Sequence, residues 1–145
     1  MAPKKAIINL RLVNLNKKRR IPLSNLKKKV WPLLRNLDLS KRHGDLNIIF
    51  VDNKYIKQLN KKYKKRNYST DVLCFDIGDL GADIFISTDT ASTNAKKFKT
   101  SFFYETTLYV IHGLLHLAGY KDSTPVERRV MERVQENLLK GTVLK

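Results

Sequence analysis

His112 and His116 stand four residues apart in the apolar run "VIHGLLHLAGY", with Gly119 and Asp122 following. On a helix, residues i and i+4 share a face, so both imidazoles can aim at one metal at about 2.0–2.1 Å. A helix supplies two such ligands, and the third must come from outside it. Gly119 accepts a positive φ without a Cβ clash and lets the chain turn back. Asp122 is the first residue beyond it with a ligand atom suited to zinc. Three protein ligands leave one position open to water, which is the catalytic rather than the closed structural type of site. The competing reading is a pair of core histidines satisfied by hydrogen bonds. Two titratable side chains in an apolar helix carry a cost that a metal would offset. The expectation is one divalent metal, with zinc first. The aspartate adds a negative charge and a harder donor, which brings manganese into range.

The surrounding residues predict the elements that must hold this constellation. "AIINLRLV" (6–13) alternates as a strand, with Ile8, Leu10 and Leu12 on one face. Ser24 is expected to cap a helix through Leu26, Val30, Leu33 and Leu37, with Pro32 kinking or breaking it. "DLNIIFVD" (45–52) reads as a strand buried on both faces. Ile56, Leu59 and Tyr63 form the inward stripe of a lysine-rich helix. Two short strands, 70–76 and 82–87, precede a polar helix over 88–99 with Ala91 and Ala95 inward. Residues 102–118 are apolar almost all round and predict a central, buried, histidine-bearing helix, ended by Gly119. Thr124, Pro125 and Glu127 spell a capping box for a last helix, with Val130, Val134 and Leu138 inward and Gly141 after it. The order β α β α β β α α α predicts an α+β fold: a small mixed sheet of about four strands with helices around it.

The chain of 145 residues, 42% hydrophobic, suits a single globular domain over 1–145. No apolar run approaches the roughly 18 residues of a membrane span. The lone Cys74 cannot form an internal disulfide, and a reducing, cytoplasmic setting follows. Charge is uneven. Residues 1–72 hold 20 Lys+Arg against 4 Asp+Glu, while residues 73–145 hold 9 against 9, so the whole +16 lies in the first half. A basic face of that kind suits a polyanion, RNA or DNA before a membrane surface. A lysine-rich composition alone would raise both halves.

Three blocks resemble the YbeY-type endoribonucleases: "HGLLHLAGY" (112–120), "LNKKYKKRNYSTDVLCF" (59–75) and "ADIFIS" (82–87). The resemblance spans about residues 45–139. It implies a metal-dependent endoribonuclease, usually assigned zinc. Such an enzyme acts on single-stranded RNA, in maturation of the small-subunit ribosomal RNA 3′ end and in ribosome quality control. It implies the small ribosomal subunit as partner. Where the family continues Gly-Tyr-Asp-His, this chain has Lys121 and Asp122, so Asp122 occupies the place of a third histidine. Where the family has an arginine after the helix-end aromatic, this chain has Lys64, with Arg66 two further on. Lys64 and Arg66 are the candidate phosphate-neutralising catalytic cations, lysine acting as a point charge without arginine's bidentate fork. The family's serine is Cys74, read as a small buried strand residue rather than a nucleophile. Lys54, Lys57, Lys61 and Lys65 form a candidate RNA-tracking face. Thr70 and Asp71 are candidates for RNA contact or, equally, a strand-start hydrogen-bonding pair. An alternative is an RNA- or ribosome-binding assembly factor that keeps the basic face but has a degenerate metal site. The His-x3-His-x2-Gly-x2-Asp pattern also resembles metzincin proteases, but Gly113 stands where their glutamate base belongs.

Overall fold

The computed structural model describes residues 8–143. Ala6 and Ile7, the start of the first predicted strand, lie outside that range. Strands β1 (Asn9–Asn14), β2 (Asp45–Val51), β3 (Val72–Asp76) and β4 (Gly81–Ser87) form one sheet in the order β1-β2-β4-β3. β1, β2 and β4 run parallel, and β3 pairs antiparallel with β4 at the edge. The helices are α1 (Leu23–Asn36), α2 (Asn53–Lys64), α3 (Thr88–Phe98), α4 (Phe102–Leu117) and α5 (Pro125–Val143). This is the expected mixed α+β arrangement.

Strand alternation sends two sets of residues to opposite faces. Leu46, Ile48 and Phe50 join Ile84 and Ile86 in a core with residues of α1, α3, α4 and α5. Val51, Leu73 and Phe85 point the other way and meet Ile56 of α2. β2 is thus fully buried on one face and only partly on the other. Its polar Asn47 faces Asp83 of β4 and donates to it at 2.9 Å. α4 packs against β3, β4, α1, α3 and α5, which explains its apolar circumference. Thr106 and Thr107 sit inside it because each hydroxyl donates to the carbonyl four residues back, at 2.8 Å.

Several local expectations are corrected. Ser24 lies inside α1, whose N-cap is Pro22 with no side-chain cap, so the helix begins without the predicted serine. Pro32 does not break α1. It is exposed, as is Lys28 one turn before it, so the missing N–H falls on the outer side of the helix while Leu26, Val30, Leu33 and Leu34 hold the inner face. Tyr63 is 56% exposed and touches the edge of Phe75, because the buried stripe of α2 runs through Ile56 and Asn60 instead. Val130 is 48% exposed; α5 turns Met131 and Leu139 inward, and it continues past Gly141. The capping box forms as expected: Thr124 Oγ1 accepts from Glu127 N at 3.1 Å and Glu127 Oε1 accepts from Thr124 N at 3.0 Å.

Gly113 sets how closely α4 lies on the sheet. A Cβ there would stand 2.6 Å from Cγ2 of Ile84 and 3.3 Å from Cγ1 of Val72. A glutamate at this position would have to enter the sheet, so the protease alternative fails on space as well as on chemistry. Gly113→Ala should therefore destabilise the fold by about 1–3 kcal/mol, read as a lower urea midpoint with an unchanged m-value.

Candidate metal centre

The last turn of α4 carries both histidines, and the chain reverses directly after it. Gly119 adopts φ 100. Its N–H donates to the His116 carbonyl at 3.0 Å, and Tyr120 N–H donates to the Leu115 carbonyl at 3.0 Å. This is the paired closure of a Schellman motif, and it turns the following residues back over the helix end. Asp122 thereby returns to the histidines. Nε2 of His112 and Nε2 of His116 are 3.0 Å apart, and Oδ2 of Asp122 lies 3.8 Å from the first and 3.4 Å from the second. Ligand atoms arranged tetrahedrally around zinc at about 2.0–2.1 Å stand about 3.3–3.4 Å from one another. The donor set therefore fits one divalent ion, with an open side.

The other ring nitrogen of His112 is held as a ligating imidazole requires. His112 Nδ1 bonds Oε1 of Gln135 on α5. Burial, then the neighbouring His112, lowers the His116 pKa from its ordinary value, against the pull of Asp122. A lowered pKa favours the neutral ring, the form in which imidazole binds a metal. Arg128, two turns before Gln135 on α5, donates to the carbonyls of Asp122 and Ser123 at 3.2 and 3.3 Å. One helix thus steadies both a histidine and the aspartate loop.

A cleft of about 460 Å³ opens beside these ligands, along β3 at the sheet edge. Lys64, Arg66, Thr70 and Asp71 line it together with His112, His116 and Asp122. A second groove of about 230 Å³, between α4 and α5, shares Asp71, His112 and Asp122 with it. Seven of the residues singled out from sequence therefore meet at one place. Lys54, Lys57, Lys61 and Lys65 do not; they are exposed on and just beyond α2, outside the cleft lining. His43 is exposed ahead of β2 and lines neither opening.

The chain matches the family described as Endoribonuclease YbeY over residues 11–142. The chain belongs to the YbeY endoribonuclease family. Its relatives include proteins named Endoribonuclease YbeY from Parabacteroides distasonis and Syntrophus aciditrophicus. The first is 38% identical over 68% of this chain and 72% of its own length. The second is 34% identical over 86% of this chain and 84% of its own. Among solved structures, the solution structure of TM1509 from Thermotoga maritima has a TM-score of 0.66 at 28% identity, covering 90% of this chain and 87% of that one.

Within this YbeY chain the remaining residues fall into place. Asp71 does serve the strand start: Oδ1 accepts from Val72 N at 2.8 Å and from Thr70 Oγ1 at 3.3 Å. It also faces both openings. Cys74 is half-buried; it packs against the core and also lines the cleft. Burial, then the charge of Asp76, pushes its thiol up to about 11, so it stays protonated and is no nucleophile. Gln135, Arg128 and Asn60 were not legible as site residues. Gln135 reaches His112 from a distant element, while Arg128 and Asn60 act on main-chain carbonyls of nearby loops, which no side-chain pattern announces.

Gln135→Ala should leave the fold intact and lower metal affinity about 10–100-fold, measured by titration against a chromophoric chelator. Elemental analysis should find about one metal in the parent protein, none in Asp122→Ala, and metal retained in Asp122→His.

Proposed function

We propose that this chain is a metal-dependent endoribonuclease that cuts single-stranded RNA, with the 3′ end of small-subunit ribosomal RNA as substrate. The observation that carries this reading is the shared cleft. Two cations, Lys64 and Arg66, line the same opening as a His-His-Asp donor set. His112, His116 and Asp122 would hold the ion, with zinc first and manganese second. When bound, such an ion supplies Lewis acidity toward a phosphoryl oxygen and a more acidic water. Lys64 and Arg66 neutralise the phosphate as charge develops. Gln135 keeps His112 oriented, and Arg128 keeps the Asp122 loop in reach. Lys54, Lys57, Lys61 and Lys65 extend the positive field beyond the cleft, where the strand leaves it. No helix among the described residues is long and apolar enough to cross a membrane. We place the protein in the cytoplasm, acting on the small ribosomal subunit in rRNA maturation and quality control.

Incubation with a single-stranded RNA oligonucleotide tests the reading. Internal cleavage should occur with metal, stop with EDTA and return with added zinc or manganese. Binding without cleavage under all these conditions would instead establish the non-catalytic assembly factor. Lys64→Ala and Arg66→Ala should each lower kcat/KM about 10²-fold. Replacing Lys54, Lys57, Lys61 and Lys65 by glutamine should flatten the dependence of log Kd on log salt by about 0.7 for each phosphate that these lysines neutralise, while leaving kcat unchanged.

A further inference from the structure

The cleft holds one aromatic ring that neither the fold nor the metal centre uses. Tyr68 is 53% exposed and lines the cleft between Arg66 and Thr70. The other half-exposed tyrosines of this region are engaged: Tyr55 stacks on Phe85, and Tyr63 meets the edge of Phe75 with Lys62 over its ring. Among the described residues Tyr68 has no aromatic or cationic partner, and its half-exposed side chain lines the cleft.

Its backbone, by contrast, is tied down. Asn60 is 1% exposed, and its Nδ2 donates to the Tyr68 carbonyl at 2.9 Å. The carbonyl of the same Asn60 accepts the N–H of Lys65, which closes α2 with a left-handed φ of 54, and that of Arg66 at 3.2 Å. A buried amide in α2 therefore fixes both ends of the short segment that presents Arg66 and Tyr68. A tyrosine has only two side-chain torsions left to order, so a ring on a fixed backbone offers contact area at low entropic cost.

We propose that Tyr68 is the stacking platform for one unpaired nucleobase of the RNA, next to the phosphate that Arg66 and Lys64 neutralise. This rests on the reading of RNA as substrate. A cation for the phosphate and a ring for the base are the two elements by which single strands are gripped without reading sequence. A base lying on Tyr68 has left its duplex partner or never had one. The ring thereby gives the cleft a preference for single strands while tolerating any base, because each presents a π face.

Binding of fluorescently labelled single-stranded and duplex RNA to the full-length protein tests this, with EDTA present to halt turnover. Tyr68→Leu and Tyr68→Ala should weaken single-strand binding roughly 5- to 150-fold. Tyr68→Phe and Tyr68→Trp should bind as the parent does, with single-strand binding quenching the new indole of Tyr68→Trp. The salt slope should not change in any of these, since tyrosine neutralises no phosphate, and duplex affinity should stay the same. Parent-like single-strand binding by Tyr68→Leu, or an equal weakening for duplex, would overturn the stacking role alone. A parent protein that binds no RNA would overturn the RNA reading itself. Unchanged urea midpoints across the series separate either result from misfolding.

Discussion

Everything at the centre depends on how closely α4 lies on the sheet. The two meet where Gly113 faces Ile84 and Val72, with no side chain between them. Because the helix lies so low, its histidines on either side of that glycine emerge beside β3, at the sheet edge, rather than above a layer of side chains. β3 and the segment before it then supply Val72, Thr70 and Asp71 to the same opening. A helix lifted by one methyl group would keep its sequence and its ligands but move them away from the cations of α2. The packing of an apolar helix and the assembly of a polar site are one constraint.

That arrangement divides labour between the two faces of the sheet. α4 and the loop after it provide the candidate ligands, and α5 provides the groups that hold them. α2, packed through Ile56 against the other face, reaches the cleft only with its last turn and the loop beyond it. The site is therefore a seam around the sheet edge rather than a hollow within one layer. β3 pairs on one side only, which leaves room along its outer side for an extended chain.

The histidines and the aspartate could be brought together from sequence because their geometry is local, whereas Lys64 and Arg66 were singled out only through the resemblance to the family. An i, i+4 spacing, a glycine reversal and a helix end can be read from a dozen residues. The capping box of α5 was legible for the same reason. Ser24, Pro32, Val130, Tyr63 and Gly141 were misread because the outcome there belongs to tertiary structure. The buried faces of α1 and α5 held helices through a proline and a glycine that local preference alone would have made breaks. Gln135 and Arg128 lay further out of reach. A glutamine on an amphipathic helix looks like a solvated residue until the helix is docked and points it at His112, and Arg128 turns back only to main-chain carbonyls, which carry no side-chain signature.

The loop bearing Asp122 is closed at one end by the backbone bonds after α4 and at the other by the Thr124–Glu127 box. Neither closure uses a ligand atom. In small zinc-folded domains the ion supplies the folding free energy and its removal unravels the chain. Here the loop is shaped by its own backbone and by the capping box, so its form does not hang on a bound ion. Occupancy of the site would then follow the supply of free metal rather than the folding history of the molecule.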